Sequence, residues 1–528
     1  MLMAFGGEVK GQIKTYLKGQ KTGKRVQTGA LIGLGVGNAK ISSPMQTEAW
    51  GCALGLQTNE FRFYYGNSGV LTDSPLEFAQ LTAARSFGLA GLLGSGADVY
   101  IQFRNTANVT IAGGTPTYFK LKERPSNTGI SLNVGGLLGV VELNSIKGTG
   151  YIGSTNYLLN TATLGGIFCP NPYNGQENPG ALAGTSTTNL LIDKDGEWFA
   201  KVTPSTNYNS VRLDVAFPGG LTLANVSAEI NVNVYNAFTQ ADGAICNSRP
   251  QFTSPGEATG VNLNTGVLGL ALNTFLADPE KAINDSKTDY SSFTTGVANV
   301  GVASTISQTF YFDHLATGDD GVTIRLGLTQ ALIDLNLLGN GVKFKIYKND
   351  TQIGDVQTLA DNFLGLNLLD LISLDGGYKQ ADITIKPTVS NSFNKIIIEY
   401  NTGLLNANVL GDALRIYDVN LTAAKPTFTS PNSNDLQICS GQSAELKANS
   451  DVGTELLWYD SLSDETPKQT SANNISYFTP VLNNLTSAPV VSTYYVATKK
   501  CDQISSKVPI KVTVNPKPPH PNVNISSN

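Results

Sequence analysis

One heptapeptide occurs twice, and it constrains this chain more than any other feature. Arg249-Pro250-Gln251-Phe252-Thr253-Ser254-Pro255 returns 176 residues later as Lys425-Pro426-Thr427-Phe428-Thr429-Ser430-Pro431. Self-similarity at a fixed period marks duplicated structural units. Proline interrupts helices and central strands, so each heptapeptide predicts a boundary between units.

The residues ahead of each boundary match as well. Residues 205–215 (STNYNSVRLDV) resemble 390–400 (SNSFNKIIIEY). Each continues through Ala-Asn-Val (224–226 and 407–409) into an alternating stretch that holds Tyr235 or Tyr417. Further upstream, 98–103 aligns with 321–326, 118–122 with 342–347, and 134–141 with 363–369. The expected organisation is a basic irregular segment at 1–45, a first copy at 46–248 and a second copy at 249–424. A further unit follows at 425–516, and a proline-rich linker leads onward from 517 to 528. The first copy carries an insertion near 150–195, rich in Gly, Asn and Pro.

Within each copy the hydrophobic period is two. Val211, Leu213 and Val215 alternate with polar residues, as do Ile230, Val232 and Val234, and Ile396, Ile398 and Tyr400. Such alternation marks strands with one buried face. The predicted fold class is all-β: tandem β-sandwich, jelly-roll-like domains followed by an Ig-like β-sandwich. The Leu-Gly runs at 88–94 and 365–371 read as buried strands and bends. Hydrophobic residues are 41% of the 528, enough for sizeable cores, while only 15% are charged. Strands of alternating apolar and small polar residues, joined by Gly and Asn turns, need few charges.

The same composition excludes chemistry. The chain has two histidines, His314 and His520, which nearly removes His-dependent triads, His-rich zinc sites and haem. A net charge of −5 gives no electrostatic case for nucleic acid. No run of about 18 apolar residues occurs, so no membrane-spanning helix is expected. Residues 1–45 run against the rest. Seven Lys and Arg face the single acid Glu8, a net of +6. That segment reads as an irregular leader or as a basic arm for an anionic surface.

Five cysteines, Cys52, Cys169, Cys246, Cys439 and Cys501, include no C-x-x-C pair, which excludes a zinc ribbon or thioredoxin motif. Their spacing fits occasional disulfides of an exported protein. Cys439 and Cys501 share the C-terminal unit and are expected to pair.

That unit shows strands at 443–448, 455–459, 476–480, 493–498 and 507–514, with Trp458 as core tryptophan, the pattern of an immunoglobulin-like sandwich. Gln437-Ile-Cys-Ser-Gly-Gln-Ser-Ala-Glu-Leu, Leu457-Trp-Tyr-Asp, Ser492-Thr-Tyr-Tyr-Val-Ala-Thr, Cys501 and Val512-Thr-Val-Asn-Pro resemble the Ig-like repeat of Bacteroidota surface proteins. The second copy, with 278–285 and Gln308-Thr-Phe-Tyr-Phe, resembles the β-domains that precede such modules. The resemblance implies export by type IX secretion machinery and display as an adhesin, in some cases linked to gliding. Its partners would be that machinery and cell-surface proteins or polysaccharide. Such proteins end in a sorting domain, and none is read in 517–528.

Candidate sites are few. Residues 278–289 (DPEKAINDSKTD) resemble the turn of discoidin-like jelly rolls that holds a structural calcium ion, which would make Asp285 and Asp289 ligands. The alternative is an Asx-rich surface turn. Asp193-Lys-Asp-Gly-Glu197 reads as a hairpin turn, Asp319-Asp320-Gly321 as a D-G turn, and His314 as structural. Phe61, Phe63, Tyr64 and Tyr65 form the densest aromatic cluster and could stack on sugar rings, or pack in the core. No catalytic motif is found. The leading expectation is therefore a secreted, non-enzymatic surface adhesin. The alternatives are a stalk, filament or secretion cargo without a ligand, and an accessory region of a polysaccharide-degrading enzyme.

Overall fold

A computed structural model describes residues 14–27, 37–42, 59–64, 78–85, 97–104, 109–122, 126–127, 146–152, 180–217, 228–240, 247–259, 262–263, 276–294, 301–302, 305–317, 319–329, 341–359, 374–375, 378–389, 391–401, 412–429, 432–451, 454–472, 475–500 and 502–517. Strands dominate, with a short 3-10 helix at Pro279–Ala282. The chain is an all-β protein of tandem sandwiches with an Ig-like unit at its C-terminal end.

In the second copy, Thr305–Ala316, Phe393–Asn401 and Val342–Lys348 form one layer. Ser291–Thr294, Asp412–Thr422, Gly321–Thr329 and Tyr378–Ile385 form the other. The alternation sends Ile306, Phe310, Phe344, Ile396 and Ile398 inward from the first layer. They meet Val322, Ile324, Leu326, Ile383 and Ile416 from the second in one core. Each such side chain contributes about 1.5–3 kcal/mol on burial.

The first copy follows the same plan. Ser210–Phe217 lies between Ala97–Arg104 and Ile146–Ile152, as Phe393–Asn401 lies between Thr305–Ala316 and Val342–Lys348. Thr117–Lys122 lies between Asn236–Gln240 and Trp198–Pro204, as Gly321–Thr329 lies between Asp412–Thr422 and Tyr378–Ile385. The match of 205–215 with 390–400 therefore falls on equivalent strands. The upstream alignments are out by one strand: 97–104 corresponds to 305–316, and 117–122 to 321–329. A period of two looks the same in every strand, so alternation cannot tell one strand from the next. The alignment of 134–141 with 363–369 lies outside the described residues, as do the Leu-Gly runs.

Described parts of the basic segment form strands. Lys14–Tyr16 pairs with Asn236–Gln240. Lys18–Gln27 is paired on both sides, with Ala97–Arg104 and Asn59–Tyr64, and Gly37–Ser42 pairs with Ala79–Arg85. Between the first two strands Leu17 is buried, and its N–H donates to Ala237 O at 2.8 Å. Ladder hydrogen bonds satisfy the backbone whatever the side chains, so a charged sequence can occupy a sheet.

The first heptapeptide also carries a strand. Phe252–Thr253 is a two-residue strand that belongs to both copies. It pairs with Ile192 and Asp193 on one side and with Phe310 and Tyr311 on the other. One twelve-stranded sheet therefore runs through both copies. The strand that reaches the join, Ser186–Asp193, comes from the predicted insertion and forms a hairpin with Trp198–Pro204. Its turn is Asp193–Glu197, with Gly196 at φ +78° and Asp193 Oδ1 accepting the N–H groups of Asp195 and Glu197.

Near the join this sheet curls. Tyr118 and Phe252 stack with ring centroids 5.4 Å apart. Their strands are three positions apart in the sheet, so a flat sheet at about 4.8 Å per strand would hold them roughly 14 Å apart. Curling turns the face away from the main core into a concave one, filled by Tyr118, Leu191, Phe199, Phe238 and Phe252. Gln240 and Gln251 close it with reciprocal amide hydrogen bonds of 3.0 and 2.9 Å.

In the C-terminal unit the strands are Asp435–Cys439, Glu445–Leu446, Glu455–Tyr459, Gln469–Ala472, Tyr477–Phe478, Val490–Lys500 and Val508–Asn515, with a short pairing at Gln503–Ile504. Trp458 is fully buried, stacked on Tyr477, with Nε1 donating to Ser471 Oγ at 2.8 Å. Asp435–Cys439 pairs in parallel with Val508–Asn515, placing Cys439 beside Asn515. Cys439 is a free, exposed thiol, and Cys501, its expected partner, lies outside the described residues.

Candidate functional site

The turn expected to hold calcium lies at the join of the two copies. Asp278 adopts a left-handed backbone (φ 50°) and starts the 3-10 helix Pro279–Ala282. Asn284 Oδ1 accepts the N–H of Ser286 at 2.9 Å, and Asn284 Nδ2 donates to Asp289 Oδ2 at 3.0 Å. Asp285 lies beside two cations: Lys194 Nζ at 3.2 Å, from the first copy's hairpin, and Arg249 Nε at 3.8 Å, from the heptapeptide. The two positive side chains beside this carboxylate oppose the approach of a calcium ion. Among the described residues no group of three or more His, Cys, Asp or Glu is arranged for a metal. Arg249 also donates to Asn284 O and to Asp418 Oδ1, the latter at 3.0 Å. The turn is a polar clamp across the join.

The contact between the second copy and the Ig-like unit is polar as well. Asp320, in the predicted D-G turn, is buried and accepts from Thr317 N, Ala424 N and Lys500 Nζ at 2.8, 3.1 and 2.8 Å. Burial alone would raise its pKa, but the hydrogen bonds from Lys500 and Thr317 outweigh it and hold the carboxyl below its ordinary value. His314 Nδ1 sits 2.6 Å from Asp313 Oδ1, and its Nε2 is 3.4 Å from Gln503 Nε2. Ser248 Oγ donates to Asp502 Oδ2 at 3.1 Å, and Thr498 Oγ1 donates to Ala424 O. His314 is thus one contact between units, a specific form of the structural role expected for it.

A second feature lies on the face of the long sheet away from the second copy's core, where Tyr311 packs against the aromatic cluster at the join. Tyr311, Lys395 and Tyr347 face one another directly across three adjacent strands. Their inward neighbours Phe310, Ile396 and Ile346 are buried in the core, so the row points outward. Lys395 Nζ lies 4.9 Å from the Tyr347 ring and 5.9 Å from the Tyr311 ring. Lys201, from the first copy, places its ammonium 5.2 Å from the Tyr311 ring. Lys395 also donates to Asp350 at 2.9 Å. Burial would raise the Asp350 carboxyl, but this hydrogen bond and the charges of Lys395 and Lys201 bring it below its ordinary value. Both tyrosines remain partly exposed. Sequence reasoning missed the row because its members are distant in the chain and meet only through strand register.

The aromatics singled out from sequence sit elsewhere. Phe61 and Phe63 fall on the strand Asn59–Tyr64, opposite Arg25 and Gly23 in register. Tyr65, Cys52, Cys169 and Cys246 lie outside the described residues. The Ig-like unit exposes several apolar side chains, among them Phe478, Val491 and Leu485, the last 97% exposed.

The comparisons agree with the C-terminal architecture. Residues 424–516 match the family model described as Ig-like domain CHU_C associated. No curated protein matches the chain. Among solved structures, the chain is similar to the adhesin domain of Epf from Streptococcus pyogenes at 10% sequence identity. That match covers 44% of this chain and 78% of the other, at a TM-score of 0.17, too low to carry an argument about fold or function.

Proposed function

We propose that the chain is an exported cell-surface protein of adhesin type, non-enzymatic, which binds surface glycans or partner proteins through its paired sandwiches. Type IX secretion machinery would carry it out of the cell, and its role would be attachment or gliding. One observation carries the reading: a C-terminal unit matching the CHU_C-associated Ig-like family is joined to two sandwiches that share one sheet. A rigid double body on an Ig-like spacer suits presentation of a binding face away from a surface. The test is antibody labelling of intact cells, with and without a working type IX translocon, alongside an attachment assay. Labelling of intact cells that disappears with the translocon supports the reading. Retention inside the cell in both strains overturns it.

The welded sheet also favours a second reading, a stalk segment without a ligand of its own. Reversible head-to-tail association of the purified chain, with no binding to surface glycans or proteins, would select it.

A further inference from the structure

We propose that His314 is a proton-operated latch between the second sandwich and the Ig-like unit. A charged imidazole holds the unit, and a neutral one loosens the hold. The latch works whatever ligand the chain binds.

Three pairs of chain neighbours close a ring where the two units meet the segment ahead of the first heptapeptide. Asn247 Nδ2 donates to Asp313 Oδ2 at 3.1 Å. His314 Nε2 stands 3.4 Å from Gln503 Nε2, and Ser248 Oγ donates to Asp502 Oδ2 at 3.1 Å. A bulge makes the ring possible. Tyr311 faces Lys395 and Ala316 faces Phe393, so extra residues gather between them. Neighbours in a regular strand point to opposite faces, but a bulge can re-aim them, and here Asp313 and His314 meet.

The chemistry gives the latch its sign. The side chains of His314 and Asp313 are 10% and 1% exposed, with Nδ1 and Oδ1 2.6 Å apart. An ionised carboxylate only accepts, so Nδ1 carries the hydrogen and a further proton from solvent binds Nε2. Protonation turns the Asp313 contact into an ion pair. On the other side, Gln503 is 1% exposed and its Oε1 is buried without a hydrogen-bond partner. A neutral ring accepts from Gln503 Nε2 over a long 3.4 Å. With a charged ring, half a turn of the amide brings Oε1 onto Nε2–H. The stranded amide atom changes from oxygen to nitrogen, while the contact across the interface gains a full charge, and charge-assisted hydrogen bonds are about twice as strong as neutral ones. Docking therefore takes up a proton at His314. By linkage the docked state is favoured on the acid side of the imidazole range, about pH 5–8, and loses this contribution as pH rises through it.

The surrounding elements carry further charged groups. Asp320 pairs with Lys500, Lys499 with Glu455, and Lys395 on the neighbouring strand with Asp350. Arg249 reaches Asp418 and Asp285, and Asp502 accepts from Ser248. Asp320 responds at lower pH, because its carboxyl is held below the ordinary 3.8.

The test compares the full chain at about pH 5.5 and about pH 8.5, both within or beside the imidazole range and above that of Asp320. Cleavage near 424–432, normalised at each pH to an unfolded reference substrate, should be about fivefold slower at the acid pH, the factor separating a charge-assisted from a neutral hydrogen bond. His314→Gln should remove the difference, and so should Gln503→Leu, with thermal melts to confirm that both fold. Imidazole NMR of the unaltered chain, with the His314→Gln spectrum to tell the two histidines apart, should show His314 gaining its proton over the range in which cleavage changes. Equal normalised cleavage at the two pH values, faster cleavage at the acid one, or a difference that survives in His314→Gln would overturn the proposal.

Discussion

Lys500 of the Ig-like unit and Asp320 of the second sandwich meet at 2.8 Å, with the carboxyl only 1% exposed. Removing one member of a buried pair leaves an uncompensated charge, at a cost of about 3–5 kcal/mol where both partners are desolvated. Lys500 keeps some solvent contact, so Lys500→Met should fall near or below the lower bound. Limited proteolysis near 424–432 checks this: the variant should be cut faster than the parent chain, with its Ig-like core intact.

The same pair sets a pH response. The Asp320 carboxyl is held below its ordinary value of 3.8, so its stabilisation is complete above that value. It is lost as pH falls through the lowered folded value. Acid titration followed by small-angle scattering should show the Ig-like unit released in that range. Asp320→Asn should remove this component of the pH dependence.

Phe252 joins two copies and fills a core of its own. Phe252→Ala should cost about 3–5 kcal/mol, as for a large buried aromatic. More diagnostic is the shape of the melt. Calorimetry should resolve one transition for the two sandwiches in the parent chain and two in the variant, because the shared strand couples their unfolding.

Cys439 should react with a thiol reagent in the folded protein without prior reduction. Cys439→Ser should leave stability within about 0.5 kcal/mol, as for ordinary surface changes. Loss of a native disulfide would instead cost about 2–5 kcal/mol. Mass spectrometry of the labelled chain and a thermal melt decide between these.

Calcium or a chelator should leave the melting temperature unchanged, because Asp285 faces Lys194 and Arg249. Asp285→Ala should cost no more than about 1 kcal/mol, since its ion pairs are largely exposed.

Much of the architecture was legible because strands announce themselves by alternation. Glu455–Tyr459 falls where the pattern put it, and Trp458 takes the core position expected. What alternation cannot convey is pairing. Ala97–Arg104 and Gly321–Thr329 carry similar patterns yet occupy different places in their sandwiches. The prolines of the first heptapeptide, Pro250 and Pro255, flank the strand Phe252–Thr253 and take no place in its ladder, so a true strand looked like a break. The ion partners of Asp285, Lys194 and Arg249, lie 91 and 36 positions away in the chain, where no local pattern shows them. The Tyr311–Lys395–Tyr347 row was invisible for the same reason.

The parallel pairing of Asp435–Cys439 with Val508–Asn515 has a mechanical consequence. The chain enters the Ig-like unit through the first of these strands and leaves through the second. Tension applied along the chain pulls the two past each other lengthwise, loading all their hydrogen bonds together instead of peeling them one at a time. A unit threaded in this way resists stretching through its first and last strands, which suits a link that must carry force between a cell and whatever it holds.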